Sequence, residues 1–133
     1  MKIEDVEGIG PVYAAKLQAA GVHTTDELLD RGAKPKGREE LETSTGISHG
    51  LILEWVNHVD LYRLDGVGSE YSDLLEEAGV DSPIELAHRV PAHLAAKLVE
   101  INDAKKLVRR VPTEAMVAGW IEQAKSLPKI VEH

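Results

Sequence analysis

Histidine and carboxylate side chains are the groups in this chain that could bind a metal ion or transfer protons. The six histidines are scattered, and we single out Glu85 and His88, whose spacing places both on one face of a helix. One such pair supplies two ligands, whereas a metal site needs three or four. Cysteine, a phosphate-binding loop of the nucleotide-hydrolase type and a nucleophile motif are all absent from the sequence. We therefore expect no metal site, no cofactor and no enzymatic activity.

Two clusters of basic side chains offer a different chemistry, the binding of phosphate groups. They consist of Lys34, Lys36 and Arg38, and of Lys105, Lys106, Arg109 and Arg110. Both clusters also fit a solvated helix face. The formal net charge is −8, with 6 basic and 11 acidic residues in 1–60 and 9 and 12 in 61–133. Nucleic-acid binders usually carry a basic excess, so phosphate binding here would depend on a local patch.

A glycine motif occurs twice and indicates a duplicated helical unit. Gly8-Ile9-Gly10 returns 58 residues later as Gly66-Val67-Gly68. The same shift superposes Tyr13 on Tyr71, Leu17 on Leu75, Gly21 on Gly79 and Leu28 on Leu86. A shift of 65 residues superposes Trp55 on Trp120, so the second copy contains about seven additional residues in its middle. A repeat of this length determines the architecture.

The elements around these motifs read as helices. After Pro11, apolar residues recur at helical spacing up to Ala20, and Gly21 fits a left-handed C-terminal cap. Capping boxes at Thr24–Glu27 and Ser82–Glu85 predict the next helix in each copy. Further helices are expected at 38–43, 48–59, 92–101, 104–108 and 113–127, followed by a frayed tail at 128–133. No segment alternates as a β-strand would.

The segments Val6–Ala14 and Leu64–Ser72 both fit a motif of the form hydrophobic-x-Gly-hydrophobic-Gly that opens a helix. In these segments the chain resembles the helix-hairpin-helix family. Over its whole length it is also similar to an uncharacterised, mainly bacterial domain with two such motifs, through stretches at 34–38, 45–48 and 105–112. The resemblance implies a protein that binds the phosphates of a nucleic-acid duplex without recognising the base sequence.

We therefore predict an all-α fold, a duplicated helix-hairpin-helix bundle of nine or ten short helices in two pseudo-symmetric halves. The halves are residues 1–60 and 61–133, and we expect them to pack as one globule. No run of residues has the length and apolar character of a membrane span or of a signal peptide. The expected location is the cytoplasm.

The glycines have a physical reason to stand at the start of a helix. Glycine permits positive φ, and successive backbone N–H groups are exposed where the helix dipole is positive. Carried over from the family, the phosphate contacts would be Gly8, Ile9, Gly10 and Lys16 in the first motif, and Gly66, Val67 and Gly68 in the second. The first motif is favoured, because Glu70 and Asp73 follow the second and would repel an anion.

Other interpretations stay open. Both glycine motifs also fit tight structural corners between packed helices. Residues 41–55 have the helix, glycine turn and helix of a helix-turn-helix, but the second helix lacks a basic residue to read DNA, so packing explains the pattern better. Two functions are therefore weighed: nonspecific binding of duplex DNA or another nucleic acid through the first motif, or a protein-interaction adaptor that uses an exposed helical face or the acidic surface.

Overall fold

A computed structural model describes residues 1–133, which form eight α-helices and no β-strand. The helices are α1 (Pro11–Ala19), α2 (Thr25–Gly32), α3 (Pro35–Thr45), α4 (His49–Leu61), α5 (Ser69–Glu77), α6 (Pro83–Ala87), α7 (Pro91–Lys105) and α8 (Glu114–Ser126). The predicted all-α class is confirmed, but nine or ten helices were expected. No helix combines the length and the hydropathy that a bilayer crossing requires.

The difference in helix number lies in the second half of the chain. Residues 92–101 and 104–108 were expected to form separate helices, but α7 runs unbroken to Lys105. Lys106 then adopts a left-handed conformation with φ of 55°, which ends the helix. The side chain of Asn102 next binds both backbone groups of Val108, accepting from its N–H at 2.9 Å and donating to its carbonyl at 3.1 Å. Residues 107–112 are therefore an ordered loop and not a helix.

The N-cap bond of each predicted capping box is confirmed, but the reciprocal bond is not, because Glu27 accepts from the N–H of His23 and Glu85 accepts from Arg89. Thr24 Oγ1 accepts from the backbone N–H of Glu27 at 3.2 Å, and Ser82 Oγ accepts from that of Glu85 at 3.1 Å. An N-cap of this kind stabilises a helix by about 1 kcal/mol. The two copies thus start α2 and α6 in the same way.

A pair of arginines extends the repeat beyond the residues matched in the sequence. Arg31 in α2 donates to the carbonyl of Ala20 at 3.1 Å, just past the end of α1. Arg89 donates to the carbonyl of Gly79 at 3.3 Å, just past the end of α5. Carbonyls at a helix C-terminus lack intrahelical donors. Each copy therefore uses an arginine to satisfy the end of the helix that its glycine motif begins.

The chain divides into two compact units, Met1–Asp60 with Ile130–His133, and Leu61–Lys129. In the first unit α3 packs against α1 and α2, and in the second α8 packs against α6 and α7 while α5 packs against α7. Each unit buries one tryptophan among aliphatic side chains. The largest fully buried side chains of the first unit include Trp55, Ile3, Leu17, Leu28, Leu41, Ile47 and Ile52, and those of the second Leu61, Leu64, Leu74 and Leu75.

Residues Ile130–His133, here called the strap, were expected to belong to a frayed tail but pack on the first unit. Val131 is buried, and the backbone N–H of Glu132 donates to the carbonyl of Ala33 at 2.7 Å. Nε2 of His133 lies 2.9 Å from Oδ1 of Asn57. Sequence could not indicate this because the groups that hold the strap lie far away in the chain.

Candidate functional site

The two glycine motifs adopt the same backbone geometry, and we call the turns at residues 6–10 and 64–68 the first and second hairpins. Gly8 and Gly66 both have φ of 88°, a region that side-chain-bearing residues rarely adopt. In both, the N–H of the middle residue, Ile9 or Val67, donates to the carbonyl three residues earlier, at 3.0 and 3.1 Å. The side chains of Ile9 and Val67 are buried. A ligand would therefore meet only the backbone of these two residues, whose N–H groups are already engaged within the turn, so neither donates to a phosphate as expected.

The last glycine of each hairpin has a different role from the first. Gly10 and Gly68 are the N-caps of α1 and α5 and have extended backbones with φ of −83° and −108°. The expected positive φ thus holds only for Gly8 and Gly66. Neither N-cap supplies a side chain to bond the first-turn N–H groups, and a Cβ at either position would meet no atom within 4 Å. The approach to both helix N-termini is open.

An indole ring lies beneath each hairpin. A Cβ at Gly8 would stand 3.4 Å from Nε1 of Trp55, and one at Gly66 would stand 3.3 Å from Nε1 of Trp120. A tyrosine of the following helix packs on each indole, with ring centroids 5.2 and 5.3 Å apart. Both tryptophans are buried, so they belong to the core and are not available to stack on bases.

The second hairpin differs from the first because two arginines lie beside it. A shallow pocket of about 390 Å³ brings Arg109 and Arg110 next to the hairpin glycines and the first turn of α5. Its lining consists of Gly66, Gly68, Ser69, Glu70, Tyr71, Arg109 and Arg110. Both arginine side chains are exposed, and neither makes an ion pair. The structure thus brings the two arginines of the second basic cluster, but not its two lysines, to the second hairpin.

Two side chains that were not predicted as site residues fix the backbone of the loop that carries these arginines. On one side, Asn102 clamps the backbone of Val108, as described above. On the other, the hydroxyl of Tyr71 donates to the carbonyl of Arg110 at 2.9 Å. The loop is therefore fixed immediately before and within the arginine pair. The only indication of this in the sequence is that Asn102 lies on the apolar face of its helix, where a buried polar side chain needs a partner.

Glu70 introduces an opposing charge. It lies in the first turn of α5 and lines the same pocket as the arginines. A carboxylate at this position interacts favourably with the helix dipole but repels an incoming anion. The site therefore combines two cations, the first-turn amides of α5 and one carboxylate, which favours weak binding.

The first hairpin has fewer groups for an anion. Pro11 has no N–H, so the first turn of α1 has one amide fewer to offer. Lys16 lies in the last turn of α1, with Nζ 6.0 Å from the centroid of the Tyr13 ring. The 65-residue shift that matches the tryptophans places Ser44 and Thr45 where the second unit has its arginine pair. The first unit therefore lacks an equivalent of Arg109 and Arg110.

The remaining basic residues are less suited to binding phosphate. Lys34 and Lys36 are exposed at the start of α3, but Lys36 shares a surface depression with Glu39 and Glu40. Lys105 forms an ion pair with Glu77. Lys106 is exposed at the end of α7.

Arg38 departs most from its expected position on a basic surface. Its side chain is 2 % exposed, and its guanidinium donates to three backbone carbonyls, those of Gly32, Ala33 and Glu132. Burial lowers the pKa of the Arg38 guanidinium, an effect that the charge of Glu132 partly offsets. Because the side chain closes the end of α2 and holds the strap, it cannot reach a phosphate in this structure.

In each of the other two candidate motifs, one polar residue already bonds another residue of the protein. Glu85 accepts from Arg89 Nε at 3.2 Å, so one carboxylate oxygen of the Glu85–His88 pair is already engaged. Asn57, which lies further along the second helix of the helix-turn-helix pattern, is buried and bonds His133.

Comparison with known proteins gives one match. A family model described as Domain of unknown function (DUF4332) matches residues 7–127. No curated protein and no solved structure matches the chain. The matched segment contains all eight helices, the second hairpin and the first hairpin except Val6, whereas the strap lies outside it.

Proposed function

The chain belongs to the family described as Domain of unknown function (DUF4332), and we propose from the geometry of its second hairpin that it binds nucleic-acid backbones weakly and without reading base sequence. The role requires no catalysis. One observation carries the proposal: Arg109 and Arg110 line one pocket with the glycines and the α5 N-terminus of the second hairpin. The resemblance of both hairpins to the helix-hairpin-helix family supports the same ligand.

The chemistry of this pocket suits a phosphodiester. Backbone N–H groups at a helix N-terminus point towards an anion, and the dipole adds a partial positive charge. Arginine supplies forked donors that match phosphate oxygens. Contacts to phosphate oxygens fix the position of the duplex and carry no sequence information.

The overall charge favours a second candidate, a protein-interaction adaptor in which both hairpins are purely structural. Both halves of the chain are acidic, and Glu70 lies within the pocket. An acidic surface would attract a basic protein partner. The two candidates differ in whether duplex binding depends on Arg109 and Arg110.

The test is fluorescence anisotropy with a short labelled duplex at about 50 and about 200 mM salt. We expect weak binding by the wild-type chain and a loss of about tenfold when Arg109→Ala and Arg110→Ala are combined, with the salt slope reduced by about one for each arginine. Glu70→Gln should have the opposite effect and strengthen binding, because it removes the repelling carboxylate from the pocket.

Each test variant has a control that changes the net charge by the same amount at a position outside the pocket. Lys97→Ala combined with Lys125→Ala removes two exposed cations outside the pocket, and Glu100→Gln removes one exposed carboxylate there. Both controls should change the affinity by less than about twofold at moderate salt, because distant surface charges are screened. If the lysine pair matters as much as the arginine pair, or if no duplex binds at low salt, the hairpin is not a phosphate site.

A further inference from the structure

Arg38 is a buried cation whose hydrogen-bond partners are all uncharged. Nη1 donates to the carbonyls of Gly32 at 2.8 Å and Ala33 at 3.3 Å, and Nη2 donates to the carbonyl of Glu132 at 2.7 Å. Nε is buried without a partner. Buried guanidinium groups are usually balanced by a carboxylate or phosphate in direct contact. Here the guanidinium of Arg38 bonds only carbonyl groups, and the charge of Glu132 acts on it without a hydrogen bond.

The acceptor for Nη2 belongs to the strap, which few interactions hold. They are the backbone bond from Glu132 to Ala33, the buried side chain of Val131 and the contact of His133 with Asn57. The strap has no regular secondary structure, and neither do the residues that connect it to α8. Short segments of this kind open locally at a much lower free energy than the whole fold.

Opening the strap would change the surface around the start of α3. Side chains on a helix lean towards its N-terminus, so the Arg38 guanidinium lies on the side of Lys34. Lys34 and Lys36 are already exposed there. Without the strap, Nη2 of Arg38 would lose its acceptor, the carbonyl of Glu132. The guanidinium would then be a third cation beside the two lysines.

We propose that the strap is an autoinhibitory contact, in which the carbonyl of Glu132 occupies the position on Arg38 that a nucleic-acid phosphate takes once the strap opens. The ligand class rests on the proposed function, but the position is separate from the second hairpin. A phosphate oxygen carries the negative charge that the carbonyl lacks, so it pairs better with the guanidinium.

The experiment opens the strap in the full chain and measures affinity for a short labelled duplex at low salt. Val131→Asn places a polar group in an apolar position, and Ile130→Asn makes the same kind of change at a neighbouring exposed position. We expect Val131→Asn to strengthen binding about threefold or more and Ile130→Asn to leave it unchanged. Adding Arg38→Gln to Val131→Asn should abolish the gain.

A second opening variant protects the test against misfolding. Glu132→Pro removes the N–H that bonds Ala33, and Glu132→Gln matches its change in charge while keeping that bond. Circular dichroism and hydrogen exchange establish that each variant is folded and that its strap is open. A folded, open variant that binds the duplex no better than its control overturns the proposal, and so does a gain that persists with Arg38→Gln.

The same measurements in the Arg109→Ala, Arg110→Ala background separate the two proposals. An Arg38-dependent gain that survives there supports the strap even if the second hairpin proves inert. Wild-type binding that depends on the arginine pair, with no gain on opening, leaves the proposed function standing and removes the autoinhibitory contact.

Discussion

Tyr71 and Tyr13 occupy equivalent positions in the two copies, but their hydroxyl groups differ. Both rings pack on the tryptophan of their unit at nearly the same distance, 5.3 and 5.2 Å between centroids. The hydroxyl of Tyr71 bonds the carbonyl of Arg110, whereas no hydrogen bond joins that of Tyr13 to another residue. One hydrogen bond therefore distinguishes Tyr13, which only packs, from Tyr71, which also positions the arginine loop.

Replacing each tyrosine with phenylalanine isolates this oxygen. Tyr71→Phe should lower the free energy of unfolding by about 1 kcal/mol, the typical contribution of one hydrogen bond, and should weaken duplex binding because the loop is released. Tyr13→Phe should change the free energy of unfolding by less than about 0.5 kcal/mol and leave binding intact. Urea unfolding and anisotropy measure both effects. Equal losses in the two variants would show that the hydroxyl of Tyr71 does not position the loop.

At the scale of elements, the helix boundaries were predictable where they depend on neighbouring residues. The caps at Thr24 and Ser82 bond residues three positions away, so their pattern is visible in the sequence. The site was less predictable because its parts meet over long separations. Tyr71 bonds a residue 39 positions away, and Arg38 bonds Glu132 at a separation of 94. The acidic residues that follow the second hairpin made the first look the better site. No pattern of neighbouring residues indicated that the arginine loop returns to the second hairpin.

Two helical glycines illustrate the same distinction between local and distant constraints. Gly37 lies at the contact of α3 with α2, where a Cβ would come 1.9 Å from the carbonyl oxygen of Arg31. Gly119 lies on the exposed side of α8, where a Cβ would meet nothing within 4 Å. The two glycines look alike in the sequence, but only the first is required by helix packing.

Alanine at these two positions should therefore have opposite effects. Gly37→Ala forces α2 and α3 apart and should lower the free energy of unfolding by about 2 kcal/mol or more. Gly119→Ala should raise it by about 0.5–1 kcal/mol, because alanine loses less backbone entropy in a helix. Urea unfolding of the two variants provides the measurement. A stabilising effect of Gly37→Ala would mean that the two helices are not in close contact there.

For the whole molecule, net charge and local charge act in opposite directions. A net charge of −8 repels a polyanion over long distances. At about 0.1 M salt this repulsion is screened beyond about 10 Å, so the nearest charges dominate. An arginine pair beside a helix N-terminus can then bind phosphate although the protein is acidic, but only within that short range. We therefore expect weak affinity at the proposed site and no DNA binding elsewhere on the surface.

The duplication also supplies a reporter for each hairpin, because each unit buries one tryptophan beneath its own turn. Single-tryptophan chains made by Trp55→Phe or Trp120→Phe keep an aromatic ring in each core. On titration with duplex, emission from Trp120 should change more than emission from Trp55, since the arginine pair lies only at the second hairpin. Arg109→Ala with Arg110→Ala should abolish the change at Trp120. A larger response from Trp55 would instead place the phosphate at the first hairpin, and equal responses would mean that the arginines do not discriminate between the two copies.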